Sequence, residues 1–123
     1  MGCLFISSCG LKTEVNADKE KELTHITTKV ELDKEYSNNK LVLIDFYADW
    51  CGPCVKLAPN LVKLDSTHGD KVKIIKVNVD KAAKLAEEYG ISSIPAVYLV
   101  KDKKVIKKEI GYQSYEQLVK LIE

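Results

Sequence analysis

The sequence predicts an α/β domain built on a central mixed β-sheet of four to five strands, flanked by about four helices. Three observations lead there. Leu41 to Tyr47 and Val72 to Val79 are nearly continuous apolar runs, as strands covered on both faces require. Segments with helical spacing stand between the strand-like runs, giving the order β-α-β-α-β-α-β-β-α, and crossovers of this kind make neighbouring strands parallel. The last two strands are separated only by Lys101-Asp102-Lys103, a hairpin connection that adds an antiparallel edge. At 123 residues without an internal repeat, the chain fits one folded domain.

Residues 1 to 22 stand apart from the domain at 23 to 123. The first ten, MGCLFISSCG, are small and apolar, and the next twelve, LKTEVNADKEKE, are polar and charged like a flexible tether. Ile6 fails the myristoylation pattern, and a membrane-spanning helix needs about 20 apolar residues. Ile6-Ser7-Ser8-Cys9 resembles a bacterial lipobox, in which cleavage exposes a cysteine for lipid attachment. No basic residue precedes it, and its apolar part is shorter than usual. A tail without a purpose of its own is the other reading.

Within the domain, Leu23 to Thr27 is a short strand candidate. Thr28 and Glu31 have capping-box spacing, so a helix starts there and ends near Ser37-Asn38-Asn39. Leu41 to Tyr47 is the central strand. Cys54, Leu57, Ala58 and Leu61 recur at helical spacing over Val55 to Leu64, and Pro59 should kink that helix. After Val72 to Val79, Asp80 is placed to cap a helix through Ala82, Leu85 and Ala86 to Tyr89, with Gly90 as its stop. Ala96 to Val100 and Lys104 to Ile110 form the hairpin. Ser114 and Gln117 repeat the capping-box spacing before Tyr115, Leu118, Val119 and Ile122 on one helix face.

Composition excludes several classes of function. Basic residues number 19, all lysine, and they are interspersed with acids to leave a net charge of +1. Bidentate reading of phosphate and guanine leans on arginine, so no nucleic-acid partner is expected. Structural zinc wants a second ligand pair at short spacing, whereas His25 and His68 stand alone; no metal and no cofactor are expected. A secreted disulfide framework would spread its cysteines through the fold, but Cys3 and Cys9 sit at the start and Cys51 and Cys54 together inside the domain.

The chemistry concentrates in Trp50-Cys51-Gly52-Pro53-Cys54, between the central strand and the next helix. A strand that turns into a helix places Cys51 at the helix N-terminus, where free N–H groups and the macrodipole favour a negative sulfur. Cys54, three residues on, shares its helix face and is close enough to bridge it. Asp45 sits in an otherwise apolar strand. Burial there should raise its pKa, which suits a group that takes the proton from Cys54. The plainer reading, a strand-end carboxylate reaching water, stays open on the sequence alone. Trp50 is likewise open between a docking surface and plain core packing.

Asp45-Phe46-Tyr47-Ala48-Asp49-Trp50-Cys51-Gly52-Pro53-Cys54, followed by Pro59, Lys76, Asp80, Ile94-Pro95 and Gly111, resembles the thioredoxin family in order and spacing from about Leu23 to Glu123. A lone C-x-x-C would be weak; this whole set is specific. The resemblance implies a thioredoxin fold and a protein-disulfide reductase, that is, a thiol-disulfide oxidoreductase. In it Cys51, exposed at the helix start, attacks a substrate disulfide, and the more buried Cys54 resolves the mixed disulfide. The family's own values, a nucleophile pKa of about 7 and a potential of about −270 mV, are carried over with the resemblance. Lys76 looks like the lysine beside the buried aspartate, and Pro95 like a cis proline facing the cysteines that frees the Ile94 backbone for pairing with substrate. Trp50, Gly52, Pro53, Ile94, Pro95, Gly111 and Tyr112 would form a flat apolar docking rim.

Three departures stand out: Tyr47 where many members have Trp, Val55 where Lys or Arg is common, and Lys103 at a turn position often held by Gly. Partners are expected to be disulfide-bearing client proteins and an electron donor, with the domain working as a monomer. Lipidation at Cys9 would anchor it to the membrane facing the periplasm and require a membrane thiol carrier. An inert tail would leave it cytoplasmic, served by thioredoxin reductase. Two other readings are an envelope oxidase or isomerase, disfavoured by Gly-Pro between the cysteines, and a non-enzymatic partner-binding subunit.

Overall fold

The computed structural model describes residues 22–123; Cys3 and Cys9, and with them the lipidation reading, lie outside the described residues. The elements are β1 (Thr24–His25), α1 (Lys29–Asn38), β2 (Leu41–Tyr47), α2 (Gly52–His68), β3 (Lys73–Asn78), α3 (Ala83–Glu88), β4 (Ala96–Lys101), β5 (Lys104–Ile110) and α4 (Tyr115–Ile122). They follow the expected order. One five-stranded sheet runs β1-β3-β2-β4-β5, with β1/β3 and β2/β3 parallel and β2/β4 and β4/β5 antiparallel.

Alternation along β2 divides the core. Val42, Ile44 and Phe46 join Leu32 of α1 and Leu85 of α3 in one apolar layer. Leu43 joins Leu57, Leu61 and Leu64 of α2 and Leu118, Leu121 and Ile122 of α4 in the other. Both faces of the strand are therefore covered, which is why its run of apolar residues is continuous. Asp45, two residues from Leu43, falls on the α2 side of the sheet.

Both expected capping boxes are present, at Thr28/Glu31 and Ser114/Gln117. Glu31 accepts from the backbone N–H of Thr27 at 2.9 Å and of Thr28 at 3.1 Å. The Thr27 bond first, then the Thr28 bonds, hold its carboxyl below the usual 4.5. The unfolded chain then binds the proton more tightly, so the cap's contribution is whole above 4.5 and is lost as pH falls through the lowered folded value. Amide protection factors at Thr27 and Thr28, taken against the unstructured rate at each pH, should be high at neutral pH and fall in acid below 4.5, and a Glu31→Gln variant should not show that acid step.

Other expectations need correction. The first strand shrinks to two residues because it is an edge strand, paired to β3 alone. Helix α2 is longer than the sequence periodicity marks and continues through Pro59 to His68. Asp80 does not cap α3; the N-cap is Ala82, without a side-chain bond. Gly90 does end the helix region, at φ +69°. At the β4–β5 turn, Asp102 (φ 51°) and Lys103 (φ 70°) both take the left-handed conformation. A Cβ makes that conformation costly by roughly 1–2 kcal/mol. Lys103→Gly should therefore raise stability by about 0.5–1 kcal/mol after glycine's greater unfolded entropy, read as a higher urea midpoint at unchanged slope.

Candidate active site

The chain leaves β2 at Tyr47 and turns through Ala48, Asp49 and Trp50 into α2. The Cys51 N–H donates to the Ala48 carbonyl at 3.2 Å, closing that turn. Cys51 is the N-cap of α2, with extended backbone, and Pro53 occupies the first turn, where its missing N–H costs nothing. The Cys54 N–H donates to Cys51 Sγ at 3.3 Å, so one of the helix's free donors points at the sulfur. Cys51 and Cys54 are joined by a disulfide, with Cα atoms 5.2 Å apart.

Cys54 is 2% exposed and Cys51 5%, so the order of burial is as expected but Cys51 is not open to solvent. The cause is packing: the bridged sulfurs lie with Ala48 against Tyr47, Val79 and Ile94. Ile94-Pro95 is a cis peptide. The Gly111 N–H donates to the Pro95 carbonyl at 2.8 Å and ties the two loops together. Gly111 sits at φ +97°, a conformation side chains rarely adopt, whereas a Cβ at Gly52 would meet nothing within 4 Å. Internal packing therefore does not require glycine at position 52.

Trp50 is 72% exposed, which removes the core-packing reading, and Tyr112 is 47% exposed. The Trp50 indole N–H donates to Asp80 Oδ2 at 2.8 Å, and the Asp80 N–H donates to Asn78 Oδ1 at 2.9 Å. This engagement accounts for the missing cap on α3. Asn60, which sequence reasoning overlooked, donates from α2 to the Tyr112 hydroxyl at 3.0 Å and to the Gln113 carbonyl at 2.9 Å. It pins the Gly111–Gln113 segment, and no local pattern announces so distant a partner.

On the α2 side of the sheet, Asp45 and Lys76 are register partners on β2 and β3. Lys76 Nζ donates to Asp45 Oδ2 at 2.7 Å, with the aspartate 0% and the lysine 1% exposed. The carboxylate does not reach water, and the surface reading of Asp45 is excluded. No group of three or more potential metal ligands occurs among the described residues.

The family model described as Thioredoxin matches residues 15–123. Thioredoxin of Bacillus subtilis is 44% identical over 82 residues, covering 67% of this chain and 79% of the relative. That of Mycoplasmoides gallisepticum is 42% identical over 100 residues, covering 81% and 99%. The oxidised mitochondrial thioredoxin 3 of Saccharomyces cerevisiae superposes with a TM-score of 0.78 at 35% identity, covering 85% of this chain and 96% of that one. The chain belongs to the thioredoxin family. It is a thiol-disulfide oxidoreductase with a thioredoxin fold, a protein-disulfide reductase acting on disulfide substrates, and the Cys51–Cys54 pair is consistent with a dithiol site.

Proposed function

We propose that Cys51 and Cys54 carry the reduction, Cys51 as nucleophile and Cys54 as resolving thiol. The observation that supports this most is their disulfide at the opening of α2 with Cys51 as N-cap. In the reduced protein the Cys51 thiolate, favoured by the helix N-terminus, attacks one sulfur of a client disulfide. A Cys51–client S–S bond forms, the client S–S bond breaks, and the other client sulfur leaves as a thiolate. Cys54 then gives its proton to Asp45 and attacks Cys51 Sγ. The second client thiolate leaves, so two electrons have passed to the client and the Cys51–Cys54 disulfide remains.

Asp45 is the base of that second step, and Lys76 holds it. Trp50, Gly52, Pro53, Ile94, Pro95, Gly111 and Tyr112 form the docking rim, with the Ile94 backbone open to strand-like pairing by the client. Insulin reduction followed by turbidity tests the reading: the reduced protein should precipitate insulin with dithiothreitol as donor, and a protein inert in that assay would be a partner-binding subunit instead. A measured potential well above about −200 mV would place it with oxidases and isomerases.

Lipid attachment at Cys9 is the finer reading of location. It is supported by Ile6-Ser7-Ser8-Cys9 and the polar stretch after it. No helix among the described residues is long and apolar enough to cross a membrane. With lipid at Cys9 the electron donor is a membrane thiol carrier; without it, thioredoxin reductase. Mass spectrometry of the mature N-terminus decides: a diacylglyceryl adduct on Cys9, or an intact Met1 or Gly2 that ends the reading.

A further inference from the structure

Sheet register sets three polar residues in one row. His25 on β1 pairs with Lys76 on β3, and Lys76 pairs with Asp45 on β2. Register partners in parallel strands point to the same face, so all three side chains rise on the α2 side. Tyr47, two residues beyond Asp45 on β2, rises there too. Its ring lies over the Lys76 ammonium, 4.2 Å from centroid to Nζ. Its hydroxyl meets His25 Nδ1 at 3.4 Å, and the two rings stand edge to face with centroids 6.3 Å apart. Tyr47 is half-buried and His25 exposed, so the phenol spans from the ion pair to the surface.

We propose that Tyr47 is a positioning residue for the resolving step: its ring, tethered at the hydroxyl by His25, holds the Lys76 ammonium against Asp45. The proposal rests on the reading of Asp45 as the base for Cys54. A carboxylate 0% exposed keeps its charge only while a cation stays close. Lysine is a flexible point charge that would otherwise turn its head toward water. The ring's negative face attracts the ammonium, and its bulk keeps water off it, which strengthens the pull between Nζ and Oδ2. The titratable groups set around Lys76 are Asp45 and Tyr47 from β2 and His25 from β1, and Tyr47 in turn packs against the Cys51–Cys54 pair at the start of α2. When the ammonium is held, Asp45 is ionised and ready to take the Cys54 proton. When it drifts, Asp45 takes up a proton from solvent and the base is lost until the pH is raised.

The test follows the resolving step by rapid quench from a preformed mixed disulfide, across pH, with Cys51 attack measured separately. Tyr47→Leu should move the pH at which resolution reaches half its limit upward by about one unit, a shift read independently of the separately measured rate of Cys51 attack. Tyr47→Phe keeps the ring and should move it by less than half as much. Should Tyr47→Leu fail to fold, phenylalanine with increasing fluorination at position 47 preserves shape while weakening the ring's negative face, and the midpoint should climb with each fluorine. A midpoint unmoved by Tyr47→Leu, or independent of fluorination, overturns the proposal. Asp45→Asn separates the two levels. If it leaves the resolution profile intact, the reading of Asp45 fails; if it flattens the profile while the Tyr47 variants do not move it, only the role of Tyr47 fails.

Discussion

Cys54→Ser should stop the protein part-way, with client chains held on Cys51 and insulin turnover reduced on the order of a thousandfold. The two sulfurs occupy unequal places. Cys51 ends the turn from β2 and caps α2, receiving the Cys54 N–H at 3.3 Å, so its anion is supported by the helix itself. Cys54 is inside the first turn of α2, one step behind the cap, and bridges Cys51 with Cα atoms 5.2 Å apart. Its one chemical opportunity is the bond Cys51 makes. A serine hydroxyl holds its proton far above the pH at which a thiol gives one up, so the variant can start the exchange and cannot finish it. Non-reducing electrophoresis should show a Cys51–client adduct that added dithiothreitol clears. Cys51→Ser should show neither adduct nor turnover. Undiminished turnover with Cys54→Ser would mean that an outside thiol resolves the intermediate, and the dithiol mechanism would go.

What could be read from the sequence was mostly local or periodic. Thr28 with Glu31 and Ser114 with Gln117 announce helix starts because both halves of a capping box lie within four residues of each other. Leu41 to Tyr47 announces a strand covered on both faces. The misses share a cause: the deciding partner is far away in the chain. Asp80 has the chemistry of a cap, but its carboxylate is taken by the Trp50 indole thirty residues back. Asn60 reaches Tyr112 and Gln113, and the Tyr36 hydroxyl hydrogen-bonds that of Tyr89. Burial, then that bond, raises the Tyr36 phenol above its usual 10. The cover on Cys51 is also tertiary, made by Val79 and Ile94 from loops after β3 and before β4. The cysteine pair itself was legible because strand, turn and helix are contiguous there.

Replacing Asp45 and Lys76 together, as Asp45→Leu with Lys76→Met, should leave the protein as stable as before or more stable by up to about 1–4 kcal/mol, while slowing resolution by roughly 10²–10⁴-fold. The two charges meet at 2.7 Å with almost no solvent contact. Their attraction is strong there, but both gave up hydration to enter, and that cost often equals or exceeds the gain. Removing one partner is a different experiment. Lys76→Met leaves a carboxylate buried among apolar side chains, which costs about 3–5 kcal/mol unless it takes up a proton. Proton uptake would rescue folding and at the same time remove the base. The single variant should therefore lose stability most at high pH, where keeping Asp45 protonated is hardest, and resolve slowly where it is most stable. A cycle of the two singles and the double, measured by urea unfolding and by rapid quench, separates the two effects. If the double variant lost stability and kept its resolution rate, the pair would be a structural strut. The opposite pattern, stability kept and resolution lost, is expected because a buried ion pair adds little stability over well-packed apolar replacements, so a chemical use is the better reason for keeping it.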